Sequence, residues 1–249
     1  MSVESPLPET QKRNAGRAAV AEVSSGMRIG LGTGSTIRYF LEGLGEALAL
    51  GNLKDLEGVP TSEATARQAE ALGIPLRDLA DAAPLDLAVD GADEVDPHLD
   101  LIKGLGGALL REKMVVQEAR RFVVITDSAK EVSRLGSRSP LPVEVVSFGW
   151  RSHLPFFREL GADPQLRLAP AGPAGADAEP YRTDNGNLIV DLYFPHGIVN
   201  ARDLQTALAG RTGVVESGLF LGVAALVLVG GPNGEVVRRE REPSSSGNF

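Results

Sequence analysis

Three stretches of the chain set chemically useful side chains beside glycines. The first is Gly30-Leu31-Gly32-Thr33-Gly34-Ser35-Thr36, between an apolar run and a helical one. Closely spaced glycines let backbone amides converge on a phosphate, and a helix start adds partial positive charge. The Ser35 and Thr36 hydroxyls can donate to phosphate oxygens. No lysine precedes that pair, so the loop is not a Walker A motif. Ser35 stands where a dinucleotide fingerprint needs its third glycine. A glycine-rich turn can also be only a tight connection, and the hydroxyl pair tips the reading toward phosphate.

The second stretch, Asp90-Gly91-Ala92-Asp93-Glu94-Val95-Asp96, holds four acids in seven residues. A solvated acidic turn and a divalent-cation site are both open readings, although the spacing is not that of an EF-hand. Asp90 directly follows the apolar run Leu85–Val89 and precedes a glycine, which sets its carboxylate at a cleft edge. Carboxylates there can hold sugar hydroxyls and move protons. The third stretch runs from Lys103 through Gly104, Leu105, Gly106 and Gly107 to Ala108-Leu109-Leu110-Arg111-Glu112-Lys113. It predicts a helix opened by glycines, with Glu112 about two turns in. Lys103 can stabilise a negative oxygen, and Glu112 can act as a general base. A helical glutamate more often pairs with a lysine four residues on, but Val116 occupies that position. Arg111 and Lys113 read as surface or structural charges.

Other chemistries find little support. His98, His153 and His196 lack the spacing of a metal pair, and cysteine is absent. No Gly-x-Ser-x-Gly elbow occurs. A net charge of −8 argues against a nucleic-acid partner. The composition is that of a soluble globular protein, no apolar run is long enough to cross a membrane, and the first ten residues do not read as a secretory signal. A cytoplasmic enzyme fits all of this.

The elements that must position these residues alternate. Helical patterns at Lys12–Ser25, Thr36–Leu50, from Thr61-Ser62-Glu63 to Leu72, and Gly107–Arg120 interleave with strand patterns at Arg28–Gly32, Leu85–Val89 and Arg121–Thr126. That rhythm predicts an α/β fold with a largely parallel sheet and ligands at the carboxyl ends of its strands. After Pro140 the pattern becomes α+β. Strands are predicted at Val143–Val146 and Leu188–Phe194, with helices at Phe156–Leu160 and Ala201–Ala209. Ala169–Pro180 reads as a surface excursion, Val223–Val229 as a return to the main sheet, and the segment from Glu242 as a frayed tail.

Taken in order, Gly-Thr-Gly-Ser-Thr at 32–36, Asp-Gly-Ala-Asp-Glu at 90–94 and Lys-Gly-x-Gly-Gly-Ala-Leu-x-Arg-Glu-Lys at 103–113 resemble the ribose-5-phosphate isomerase A family. Weaker matches are Thr126-Asp127-Ser128-Ala129-Lys130, Pro140-Leu141-Pro142-Val143-Glu144-Val145 and Thr183-Asp184-Asn185-Gly186-Asn187. The resemblance implies a Rossmann-like parallel-sheet main domain (1–138 with 218–249) and an inserted smaller α+β domain (139–217). It implies a homodimer or homotetramer, and neither metal nor organic cofactor. It implies that Thr33, Gly34, Ser35 and Thr36 hold a substrate phosphate with help from Lys12. Asp90, Gly91, Ala92 and Asp93 would meet the sugar, and Lys103, Gly104, Leu105 and Gly106 would line the same pocket. Lys130 would be a further substrate contact, and Glu112 the proton acceptor. Leu105 replaces a glycine found in some relatives. The implied reaction interconverts D-ribose 5-phosphate and D-ribulose 5-phosphate through an enediolate, a step of the non-oxidative pentose phosphate pathway, with Asp90 and Lys103 helping to open the furanose ring. A CoA transferase with a glutamate nucleophile and a non-catalytic sugar-phosphate sensor are the rival readings. The first has no evident use for Asp90 and Lys103, and the second none for Lys103 with Glu112.

Overall fold

A computed structural model describes residues 6–170, 179–231 and 233–241. The surface excursion expected at 169–180 lies mostly, and the frayed tail expected from 242 wholly, outside the described residues. A six-stranded sheet forms the main body. Its strands are β1 (Arg28–Leu31), β2 (Glu57–Pro60), β3 (Leu87–Gly91), β6 (Phe122–Asp127), β12 (Leu226–Gly230) and β13 (Val236–Glu240). Their order across the sheet is β13-β12-β6-β3-β1-β2, parallel except for the antiparallel edge strand β13.

Alternation along the strands explains the two-sided core. Leu87 and Val89 of β3, with Val123 and Ile125 of β6, pack against Ala15 and Ala19 of α1 (Pro6–Ala19) and Phe40, Leu41 and Leu44 of α2 (Ile37–Ala49). The intervening Ala88, Phe122 and Val124 face Val115 and Val116 of α5 (Leu109–Gln117). This period of two, buried on both faces, is what a parallel sheet covered by helices requires. The chain leaves β1 for β2 on one side, then returns to lay β3 along the other side of β1. The carboxyl ends of β1 and β3 therefore flank a topological switch point, where open α/β sheets bind ligands.

Two further sheets are formed among the described residues. β4 (Glu94–Val95), β5 (Leu101–Ile102) and β11 (Leu219–Phe220) make a three-stranded antiparallel ribbon. β7 (Leu141–Val145), β8 (Asp163–Leu166), β9 (Leu188–Tyr193) and β10 (Val214–Ser217) form an antiparallel sheet in the order β10-β7-β9-β8. Phe157 of α6 (Leu154–Glu159) and Leu204 and Leu208 of α7 (Ala201–Ala209) cover it. The remaining helices are α3 (Glu63–Ala71) and the short α4 (Leu79–Ala82).

Two sequence expectations need correction. The first helix starts at Pro6 rather than Lys12 and gives way at Ala19 to a 3-10 turn, Val20–Glu22. Proline suits a helix's first turn, where its missing N–H costs nothing. The helix expected from Gly107 begins at Leu109, because Gly107 holds φ +83°. Glu112 therefore sits in the helix's first turn, not two turns in.

Candidate active site

The site starts where β1 and β3 end. Register pairs Leu31 with Val89, so Gly32 lies level with Asp90 and its amide donates to the Val89 carbonyl at 2.9 Å. A Cβ at Gly32 would collide with the Asp90 carboxylate, which is why the strand must end in glycine. Asp90 is buried, 2% exposed. Its Oδ1 accepts from the Thr33 amide at 3.1 Å and from the Gly91 amide at 2.7 Å. One carboxylate thus ties the glycine-rich loop to the end of β3.

Lys103 approaches from β5, its own amide donating to the Gly218 carbonyl at 2.9 Å. Its ammonium donates to the Gly91 carbonyl at 2.6 Å. It lies 2.9 Å from Asp90 Oδ2 and 3.3 Å from Glu112 Oε2. Among the described residues neither of those oxygens is met by a donor in hydrogen-bond geometry, so both contacts are ionic rather than well directed. All three side chains are nearly inaccessible, at 2–3% exposure.

Two carboxylates sharing one buried ammonium carry a net negative charge, and their acidity shifts accordingly. Burial, and then the negative charge of Asp90, push Glu112 up to about 8, against the opposing pull of Lys103. Asp90 is also raised by burial, but Lys103 and the Gly91 and Thr33 amides hold it back. Burial pulls Lys103 down, yet Asp90 and Glu112 outweigh it and keep Lys103 firmly protonated. The result is a basic carboxylate beside a fixed cation.

These groups open into a cavity of about 250 Å³. Lys12, Thr33, Gly34, Ser35, Thr36, Gly91, Ala92, Asp93, Lys103, Gly104, Gly106, Glu112 and Lys130 line it. Lys12 reaches it from α1, and Lys130 from the 3-10 turn Ser128–Lys130 that follows β6. Gly34, at φ +125° with open space around its Cβ position, bends the loop ahead of α2. Two residues expected in the pocket lie off its wall. Asp90 sits beneath it, behind Lys103. Leu105 is 39% exposed and joins through its backbone, its amide donating to Asp93 Oδ2 at 2.9 Å.

Sequence reasoning missed the support under the loop. The Thr33 hydroxyl turns away into a cluster with Thr61 Oγ1 at 2.8 Å, Ser62 Oγ at 2.9 Å and Thr65 Oγ1 at 3.1 Å. Ser62 also caps α3 by accepting from the Thr65 amide. The run Thr61-Ser62-x-x-Thr65 reads from sequence as a helix cap only. Nothing in it signals the loop 28 residues earlier. Arg167 was missed too: it donates to the Gly104 and Leu105 carbonyls at 3.0 and 2.9 Å while paired with Asp191. Among the described residues, no three His, Asp or Glu side chains gather as a metal ion would require.

A parallel sheet with a glycine-rich loop at its switch point, beside a buried carboxylate and ammonium, is the architecture of an α/β enzyme with its site at the strand ends. Residues 57–234 match the family of ribose 5-phosphate isomerase A (phosphoriboisomerase A). A ribose-5-phosphate isomerase A of Roseiflexus castenholzii is 51% identical over 226 residues, 90% of this chain and 93% of that protein. A D-ribose-5-phosphate isomerase solved in complex with phospho-erythronic acid superposes with a TM-score of 0.87 at 40% identity, over 92% of this chain and 97% of the other. The ribose 5-phosphate isomerase of Plasmodium falciparum does so at 0.87 and 35%, over 94% and 100%. This chain belongs to the ribose-5-phosphate isomerase A family.

Proposed function

We propose that this chain interconverts ribose 5-phosphate and ribulose 5-phosphate through an enediolate, with Glu112 as the base. The observation that carries the reading is the buried Glu112–Lys103–Asp90 set beside the glycine-rich loop. Isomerisation moves a proton between C2 and C1 while negative charge develops on a substrate oxygen. Glu112 takes the proton from C2 of the aldose and returns it to C1, and the raised pKa matches a group that must hold it between the two transfers. Lys103 faces the developing oxyanion. One such preorganised donor is worth about 3 to 4 kcal/mol of barrier. Asp90, working through Lys103, helps to open the furanose ring.

The phosphate is anchored by residues 33–36. Ser35 and Thr36 donate hydroxyls, Thr33 and Gly34 supply backbone, and Lys12 and Lys130 supply charge. Binding energy spent there fixes orientation at the distant carbons. Gly91, Ala92, Asp93 and the 104–106 backbone meet the sugar. A relative's complex with phospho-erythronic acid, a sugar-acid phosphate, supports a sugar-phosphate substrate. The same reading divides the chain into a catalytic unit, 1–138 with 218–249, and a smaller unit, 139–217, in a cytoplasmic homodimer or homotetramer. No helix among the described residues is long and apolar enough to cross a membrane.

The test is turnover of ribose 5-phosphate after exhaustive EDTA treatment. Ketose formation at an undiminished rate is expected. Binding without turnover would instead favour a sensor, and a requirement for added metal would refute the metal-free reading.

A further inference from the structure

Two motifs of the sequence, residues 140–145 and 183–187, lie outside the pocket, and the fold brings them together. Glu144, in the middle of β7, is completely buried. Its Oε1 accepts from Thr183 Oγ1 at 3.0 Å, Asn185 Nδ2 at 3.1 Å and Asn187 Nδ2 at 2.9 Å. Its Oε2 has no hydrogen-bond partner among the described residues. Three donors from one turn converge on this buried oxygen, so residues 183–187 are held against β7.

That turn reaches outward. Asn185 spends its amide nitrogen on Glu144 and offers its carbonyl oxygen to Arg111 Nε at 3.0 Å. Arg111 is the residue immediately before Glu112, in the first turn of α5. The Arg111 guanidinium also pairs with Glu63 Oε1 at 2.9 Å and donates to the Asp184 carbonyl at 3.3 Å. The Asp184 carboxylate in turn accepts from the Glu63 amide at 2.9 Å. The first turn of α5 and the start of α3 are thus clamped to one turn of the antiparallel sheet. α5 needs such a clamp, because it begins after Gly107 with no side-chain cap from Ala108. A first turn without a cap frays readily, and Glu112 lies within it.

We propose that Glu144, Asn185 and Arg111 are positioning residues for the isomerisation. They form a relay that holds the first turn of α5, and with it the Glu112 carboxylate, at the reacting carbons. The inference rests on the reading of Glu112 as the base. None of the three lines the pocket, so they act on the proton transfer and not on phosphate anchoring.

The test compares steady-state isomerisation by wild type, Asn185→Ala, Arg111→Ala, the double variant and Glu112→Gln, with thermal melts of each. Arg111 bonds at an exposed site, so its truncation leaves the core intact, whereas Asn185→Ala also removes a donor from buried Glu144 and should lower the melting temperature. A loss in kcat of about 10- to 100-fold is expected for each single variant, the scale on which small misplacements near the chemistry act. KM should stay within about twofold. The double variant should lose no more than the worse single one, as members of one relay do. Arg111→Lys, which keeps charge but not the fork, should recover only part of the rate. Lowered melting temperatures with wild-type kcat would reduce the relay to a structural brace and overturn the proposal. So would multiplicative losses in the double variant. Near-normal turnover by Glu112→Gln would instead remove the base on which the proposal stands, an outcome distinct from wild-type turnover by Asn185→Ala alone.

Discussion

Replacing Glu112 by glutamine should make the protein more stable and less active, with a pH dependence that identifies the cause. The carboxyl titrates near 4.5 when unfolded and near 8 in the fold. A folded state that holds its proton more tightly is favoured at low pH, and that advantage is lost as pH rises from 4.5 to 8. Across this window of about 3.5 pH units the loss is on the order of a few kcal/mol, and it is complete above pH 8. Glutamine is nearly the same shape as the protonated side chain and escapes this loss. Urea unfolding of both proteins, followed by circular dichroism at pH 5, 7 and 9, measures the difference. The two should be close at pH 5, with the variant ahead by a few kcal/mol at pH 9. Some of the gain is offset, because Lys103 loses one of its two carboxylate contacts. Relief of repulsion on Asp90 acts in the variant's favour. Equal stabilities across the range, or a variant that weakens as pH rises, would refute the claim that Glu112 is an unfavourably buried base.

Thr36→Ala should raise KM for ribose 5-phosphate roughly 10- to 100-fold, the range for a hydrogen bond to a charged group, with a smaller effect on kcat; a large kcat loss at unchanged KM would contradict uniform anchoring. Glu94 is fully buried and accepts the Gly136, Arg138 and Ser139 amides at 2.6–2.7 Å. Glu94→Gln should therefore cost about 2 kcal/mol in urea unfolding, and an unchanged midpoint would show that the charge does not hold that crossing.

Much of the site was legible because its chemistry constrains the backbone. Glycines at 32, 34, 104 and 107 mark places where side chains would collide or φ turns positive, and such places concentrate at strand ends. Asp90 could be set at the end of β3 because the short apolar run before it is bounded by Pro84 and Gly91 and alternates with helical patterns, as the strands of a parallel sheet do. What stayed hidden depends on contacts distant in sequence. Glu57–Pro60 is four residues with one glycine and one proline, and only pairing with β1 makes it a strand. Val236–Glu240 reads as a charged run, yet it is an edge strand whose Arg238 pairs with Glu22 across the chain. Edge strands tolerate charge on the face that meets water. Glu94 and Glu144 look like surface acids until their amide and hydroxyl partners arrive from 39 to 45 residues away. The burial of Glu112 was equally invisible, because it follows from Lys103 and Asp90 closing over the first turn of α5.

Whether Glu112 moves the proton is decided by turnover of ribose 5-phosphate by wild type and Glu112→Gln at saturating substrate, with binding measured for both. With Glu112 as the base, binding stays intact and the rate falls by roughly 10² to 10⁴, the contribution of a general base. Turnover within a few-fold of wild type would contradict that role.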